Sequence, residues 1–170
     1  APDIPGLFEI GTGAIRFDKN FNITDAYPIL KNTQINCAGG VTPWNTWLSC
    51  EEYDRGMVFE CDPWGKKDSV AHPAMGVFKH EACCVDPKGK QVYLTEDLGD
   101  GCLYRFTPDS YPDLSTGRLD VAIVGDTGQV RWAEVPDPIT MQRLPAQPAP
   151  LLNRLEWCWT PAKLSAPGIV

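Results

Sequence analysis

Apolar and polar positions alternate along this chain in short bursts. The run Gln91-Val92-Tyr93-Leu94-Thr95 shows the period of two that puts successive side chains on opposite faces of a strand. Comparable strand-like runs occupy residues 13–18, 46–52, 57–62, 75–79, 81–86, 91–97, 102–108, 119–124 and 130–135. Turn chemistry separates them. Asp86-Pro87-Lys88-Gly89 and Asp62-Pro63-Trp64-Gly65 combine a residue with fixed φ and one that accepts positive φ. Gly99-Asp100-Gly101 suits a hairpin. No long pattern with helical period occurs, so the chain is expected to be all-β.

The pattern repeats. Residues 49–63 align without a gap on residues 94–108, an offset of 45. The acidic pair Glu51-Glu52 falls on Glu96-Asp97, Gly56 on Gly101, Phe59 on Tyr104 and Pro63 on Pro108. A period of about 40–45 residues built from short strands is that of a β-propeller blade. The reading is a β-propeller of four-stranded antiparallel blades. One blade covers about 36–79, with Asn36 as the partner of Glu81 at the 45 offset, and a second covers 80–135. A partial third starts near 153, where Leu155-Glu156-Trp157-Cys158 echoes His80-Glu81-Ala82-Cys83. The Pro-rich stretch 136–150 reads as a long loop. About two and a half blades fit where propellers use about 4–8, so residues 1–170 are expected to form one partial propeller domain.

Composition narrows the functions. Asp and Glu number 22 against 15 Lys and Arg, a net charge of −7. That argues against a nucleic-acid partner or an anionic membrane surface, and no stretch approaches the roughly 18 apolar residues of a membrane span. The chain starts Ala1-Pro2-Asp3, which reads as a processed product or a piece of a longer chain. Its seven cysteines are an odd number and include no CxxC pair, so most are expected to be small buried hydrophobes.

Carboxylates gather near strand ends: Glu51, Glu52, Glu81, Glu96, Asp97, Asp100 and Glu156. In a propeller such positions face one axis and suit hard cations such as calcium, which take oxygen ligands. Solvated strand ends and plain turn chemistry are the alternatives. Cys37, followed by Gly39 and Gly40, offers a thiolate for a transition metal. Two histidines, His72 and His80, are too few for a histidine-built zinc site, and His80 beside Glu81 is the better functional candidate. The chain carries no GxGxxG, P-loop, GxSxG or HExxH motif.

The run from Asn36 through Cys37-Ala38-Gly39-Gly40-Val41-Thr42-Pro43-Trp44 to Ser49-Cys50-Glu51-Glu52 resembles the signature of the PhoX-type alkaline phosphatases. So do Phe78-Lys79-His80-Glu81-Ala82 and Tyr93-Leu94-Thr95-Glu96-Asp97. The resemblance covers roughly residues 10–138. It implies a propeller of about six blades, a central iron and calcium site, hydrolysis of phosphate monoesters on small molecules, and a periplasmic or secreted setting. By motif match it makes Cys37 a thiolate ligand to iron and Glu81 a carboxylate ligand. One of Glu51 and Glu52 would serve calcium, Glu96 and Asp97 would follow by analogy, and Glu156 would join from Asn153-Arg154-Leu155-Glu156-Trp157, where Leu155 replaces the family's Pro. The other readings are a non-catalytic calcium-binding propeller module and an inactive fragment of a longer phosphatase. Nothing in the sequence assigns an oligomeric state.

Overall fold

The computed structural model of the chain describes residues 10–99 and 101–140. Within them the fold is all-β and antiparallel. Strands β1 (Gly11–Phe17) and β2 (Ile23–Lys31) form a hairpin. Strands β3 (Asn36–Val41), β4 (Trp47–Glu51), β5 (Val58–Cys61) and β6 (Val70–Ala71) form a four-stranded meander. Strands β7 (His80–Asp86), β8 (Gln91–Glu96), β9 (Leu103–Ser110), β10 (Asp113–Val124) and β11 (Val130–Glu134) form a five-stranded one. A 3₁₀ turn, Pro73–Met75, links the two sheets. No helix among the described residues is long and apolar enough to cross a membrane.

The internal repeat is a repeat of register. In the first sheet Trp47 pairs with Cys61, Leu48 with Glu60, Ser49 with Phe59 and Cys50 with Val58. Adding 45 to each number gives Val92 with Phe106, Tyr93 with Arg105, Leu94 with Tyr104 and Thr95 with Leu103, which are the pairs of the second sheet. The connecting turns also match. The Gly56 N–H donates to the Tyr53 carbonyl at 2.8 Å and the Gly101 N–H to the Leu98 carbonyl at 2.9 Å. Both positions require glycine because the turn folds back on the strand. A Cβ at Gly56 would lie 2.0 Å from the Glu51 carbonyl oxygen, and one at Gly101 2.3 Å from that of Glu96.

Strand alternation builds the core. Along β8, Val92, Leu94 and Glu96 are buried while Gln91, Tyr93 and Thr95 are less so. The buried faces of the two sheets meet through Leu48, Cys50, Val58, Phe78, Cys83, Leu94, Tyr104 and Phe106. Phe78 stacks on Tyr104 with centroids 4.4 Å apart, and on the His80 ring at 3.7 Å. β3 and β4 pack against β7, so the starts of both sheets lie side by side.

Several expectations are corrected. β2 was not among the strands read from sequence. Its residues are largely exposed, and Pro28 interrupts the pattern. Residues 75–79 form no strand. The last strand of the first sheet is the two-residue β6, and Pro73 initiates a 3₁₀ turn instead. The second sheet has five strands, not four, because β11 pairs with β10 from Asp120 opposite Glu134 to Val124 opposite Val130. Asn36 corresponds to His80, not Glu81. Asn36 faces Glu51 as His80 faces Glu96, an offset of 44 for this strand. The proposed third start near 153 lies outside the described residues.

Two titratable groups, buried His80 and half-buried Glu60, make the fold sensitive to acid. Burial pushes His80 down to about 4, against the pull of its hydrogen bond to the Gly76 carbonyl. For Glu60, burial opposes ionisation, but hydrogen bonds from His72, Thr46 and Trp44 and the charge of His72 outweigh it and hold the carboxyl at about 2. Both folded values lie below the ordinary ones of 6.5 and 4.5, so the unfolded chain takes up each proton first. Stability is therefore expected to fall on acidification in two windows, from pH 6.5 to about 4 through His80 and from 4.5 to about 2 through Glu60. Urea midpoints measured between pH 7 and pH 3 check this. His80→Gln, which keeps a donor for Gly76, should flatten the first window, and a wild-type midpoint unchanged between pH 7 and pH 5 would refute the assignment.

Candidate metal centre

The centre forms where both sheets begin. β3 and β7 each carry an irregularity at the same place, between Asn36 and Gly39 and between His80 and Cys83, where two residues of one strand oppose one of its neighbour. Such a bulge re-aims side chains. It turns Cys37 on β3 and Glu81 on β7 toward each other, and they occupy equivalent positions of the two sheets. Thr95 stabilises the second bulge by accepting the Ala82 N–H at 3.2 Å. The Cys37 thiol donates to Glu81 Oε1 at 3.4 Å. Glu52, just past the end of β4, completes a group of three whose ligand atoms all lie within 4.8 Å of one another.

The two acidic pairs divide their labour in the same way. The first acid of each is buried and holds its turn. Glu51 accepts the Gln34 N–H at 2.8 Å and the Met57 N–H at 3.0 Å. Glu96 accepts the Cys102 N–H and the Tyr104 hydroxyl, both at 3.1 Å. The second acid of each pair faces a pocket of about 280 Å³ lined by Cys37, Glu52, Glu81, Thr95, Glu96 and Asp97. Lys79 bridges these second acids, with its Nζ 3.2 Å from Glu52 and 2.8 Å from Asp97. That pairing with Lys79 draws the exposed Asp97 carboxyl below its usual range.

Of the seven residues expected to hold metal, the structure brings Cys37, Glu52 and Glu81 together, with Asp97 on the pocket wall. Glu51 is occupied with backbone donors away from the group, and Glu96 lines the pocket while holding its turn. Glu156, like Asp100, lies outside the described residues. His80 does not face the pocket. It is fully buried, and strand alternation turns it into the core when Glu81 points out. Lys79 and Thr95 are the contributors that sequence reasoning did not single out. Their signal is positional, since Lys79 precedes the bulged strand and Thr95 faces its bulge.

The pocket is strongly acidic. Loss of hydration and the neighbouring Glu52 and Glu81 carboxylates push the Cys37 thiol up to about 11, although the Ala38 backbone N–H favours the thiolate. The thiol therefore keeps its proton until positive charge enters the pocket. One soft sulfur beside hard carboxylate oxygens suits a transition metal, with oxygens left over for a harder ion. A larger cleft of about 440 Å³ lies at the opposite end of the first sheet, between Trp44, Trp64, Lys66 and Lys67. It contains no comparable group of ligating side chains among the described residues.

Glutamine substitutions separate the two kinds of acid. Glu51→Gln replaces a buried carboxylate that serves two backbone N–H donors with an amide that has one acceptor oxygen. It should lower unfolding stability by about 1–3 kcal/mol. Glu52→Gln, which breaks only a part-exposed ion pair, should stay within about 1 kcal/mol of wild type. Urea unfolding of the two variants checks the split, and equal losses would contradict it.

Comparison with known proteins bears on the same residues. A family model described as alkaline phosphatase PhoX matches residues 12–57 and 53–165. No curated protein and no solved structure matches the chain. The matched segments span β1 through β11 and include Cys37, Glu52 and Glu81. With most of its length matched, the chain belongs to the PhoX family of alkaline phosphatases.

Proposed function

We propose that this chain takes part in metal-dependent hydrolysis of phosphate monoesters, at a centre where Cys37, Glu52 and Glu81 hold iron and calcium. The observation that carries the reading is the meeting of those three side chains within 4.8 Å, with Cys37 and Glu81 at matching positions of two repeated sheets. The donor set fits the ions. The thiolate of Cys37 suits iron, the carboxylates of Glu52 and Glu81 suit either ion, and Asp97 adds a further oxygen on the pocket wall.

Family membership and the repeated register also support a propeller in which each sheet is one blade. β3 and β7 would then be the strands nearest the axis. The remaining blades and Glu156 would close the site. Family membership favours a periplasmic or secreted setting.

When bound, such ions supply the positive charge and Lewis acidity that phosphoryl transfer requires. The protein's own groups do the rest. Cys37 would hold iron through Sγ once deprotonated, and Glu81 Oε1, already its hydrogen-bond acceptor, is the first base in reach of that proton. Cys37 acts as a ligand and not as the nucleophile. Glu52 and Glu81 would hold the ions through their carboxylate oxygens. Thr95 keeps the bulge that aims Glu81, and Glu51 keeps the turn that aims Glu52.

In the intact protein, Cys37→Ser should lower iron content and hydrolysis of an aryl phosphate together, tenfold or more, because serine is a harder and far less acidic ligand. Cys61→Ser, at a fully buried position at the other end of the first sheet, should cost about 1 kcal/mol or more of stability and leave the metal in place. Elemental analysis with activity assays in added iron and calcium makes the comparison. Full activity in Cys37→Ser would end the iron–thiolate role. Wild-type protein holding calcium, without iron or hydrolysis, would instead mark a calcium-binding module.

A further inference from the structure

Lys79 is the cation attached to this acidic pocket. The lining carries four carboxylates, from Glu52, Glu81, Glu96 and Asp97, and no basic residue. Lys79 reaches it from the loop before β7, and its ammonium lies between Glu52 Oε1 at 3.2 Å and Asp97 Oδ2 at 2.8 Å. Its backbone is tied to the same place, since its carbonyl accepts the Asp97 N–H at 3.0 Å. The ammonium is therefore anchored by the residue that follows β8, and it takes hold of a residue that follows β4. Glu52 is held from one side by Lys79 and faces Cys37 and Glu81 on the other.

Resting on the reading of Cys37, Glu52 and Glu81 as a cation site, we propose that Lys79 is its positioning residue: anchored on Asp97, its ammonium clamps one oxygen of Glu52 so that the carboxylate stays turned toward Cys37 and Glu81. Two effects of the ammonium oppose each other. It repels an incoming cation, and it orders a carboxylate that its neighbours repel. Lys79 is about one quarter exposed, so water and salt weaken the repulsion. Ordering of a ligand by its outer hydrogen-bond partner is worth about 10–100-fold in metal affinity. Ordering wins, and removal of Lys79 weakens binding.

The test uses Cd²⁺ as the probe, titrated into the full chain and followed by the thiolate-to-metal charge-transfer absorbance. The part of the signal lost in Cys37→Ser defines the site. Lys79→Met is expected to raise the Cd²⁺ dissociation constant about tenfold at unchanged thermal stability, and Lys79→Arg to restore it to within about threefold. In a Glu52→Gln background Lys79→Met should add nothing, because the residue it positions is already disabled. Lys79→Gln provides the same reading if the methionine variant folds poorly. Unchanged or tighter binding in Lys79→Met, or losses that multiply in the double variant, overturns the positioning role and leaves the cation site standing. A wild-type chain whose Cd²⁺ signal is the same as that of Cys37→Ser removes the cation site and this role together.

Discussion

The constraint on which the rest of the structure depends is the register of one hairpin, formed twice. β4 pairs with β5 as β8 pairs with β9, residue for residue at an offset of 45. In each case a buried glutamate at the end of the first strand accepts the N–H of the residue just before the second. A slip of one residue would exchange the faces of both strands and expose Leu48 or Leu94 to water. With the register set, the acid after each buried glutamate has to point the other way, toward solvent and the neighbouring sheet. Glu52 and Asp97 reach the pocket for that reason.

A second device acts on the strands that precede these hairpins. The bulges of β3 and β7 interrupt alternation at the same place in the two sheets. Regular alternation would assign Cys37 and Glu81 by parity alone. The extra residue gives each a direction that its own sheet does not need, and the two directions meet because β3 packs against β7. The price is a region of poor ladder pairing, which Thr95 partly restores through its bond to the Ala82 N–H. The two matching bulges lie beside the only group of three ligating side chains found among the described residues.

Electrostatics then set the chemistry. Four carboxylates line about 280 Å³, and loss of hydration together with two of them, Glu52 and Glu81, holds the Cys37 proton on its sulfur. Lys79 relieves part of this charge from the rim, and a cation inside the pocket would relieve more. The same charge pattern would turn away a phosphate dianion from the bare pocket. In the proposed function, metal ions between protein and substrate would supply the positive charge that this acidic pocket lacks.

The sequence by itself determined the all-β class, most strands of the two larger sheets and the repeat, because alternation and turn chemistry are local and a gapless self-match preserves register. It also determined the family, through contiguous motifs around Cys37, Glu81 and Glu96. It did not reveal β2, whose exposed faces lack a core pattern, and it read 130–135 as a strand without making it the fifth of the second sheet, since adding a strand is a choice of partner and not of propensity. The tertiary structure alone separated Glu51 from Glu52 and buried His80 beside an outward Glu81, because adjacent residues of identical chemistry differ only in the face they are given. It alone brought Lys79 between Glu52 and Asp97, acids 45 residues apart in the chain. Convergence of that kind comes from the packing of one sheet on another, and no local pattern of hydrophobic and polar residues encodes it.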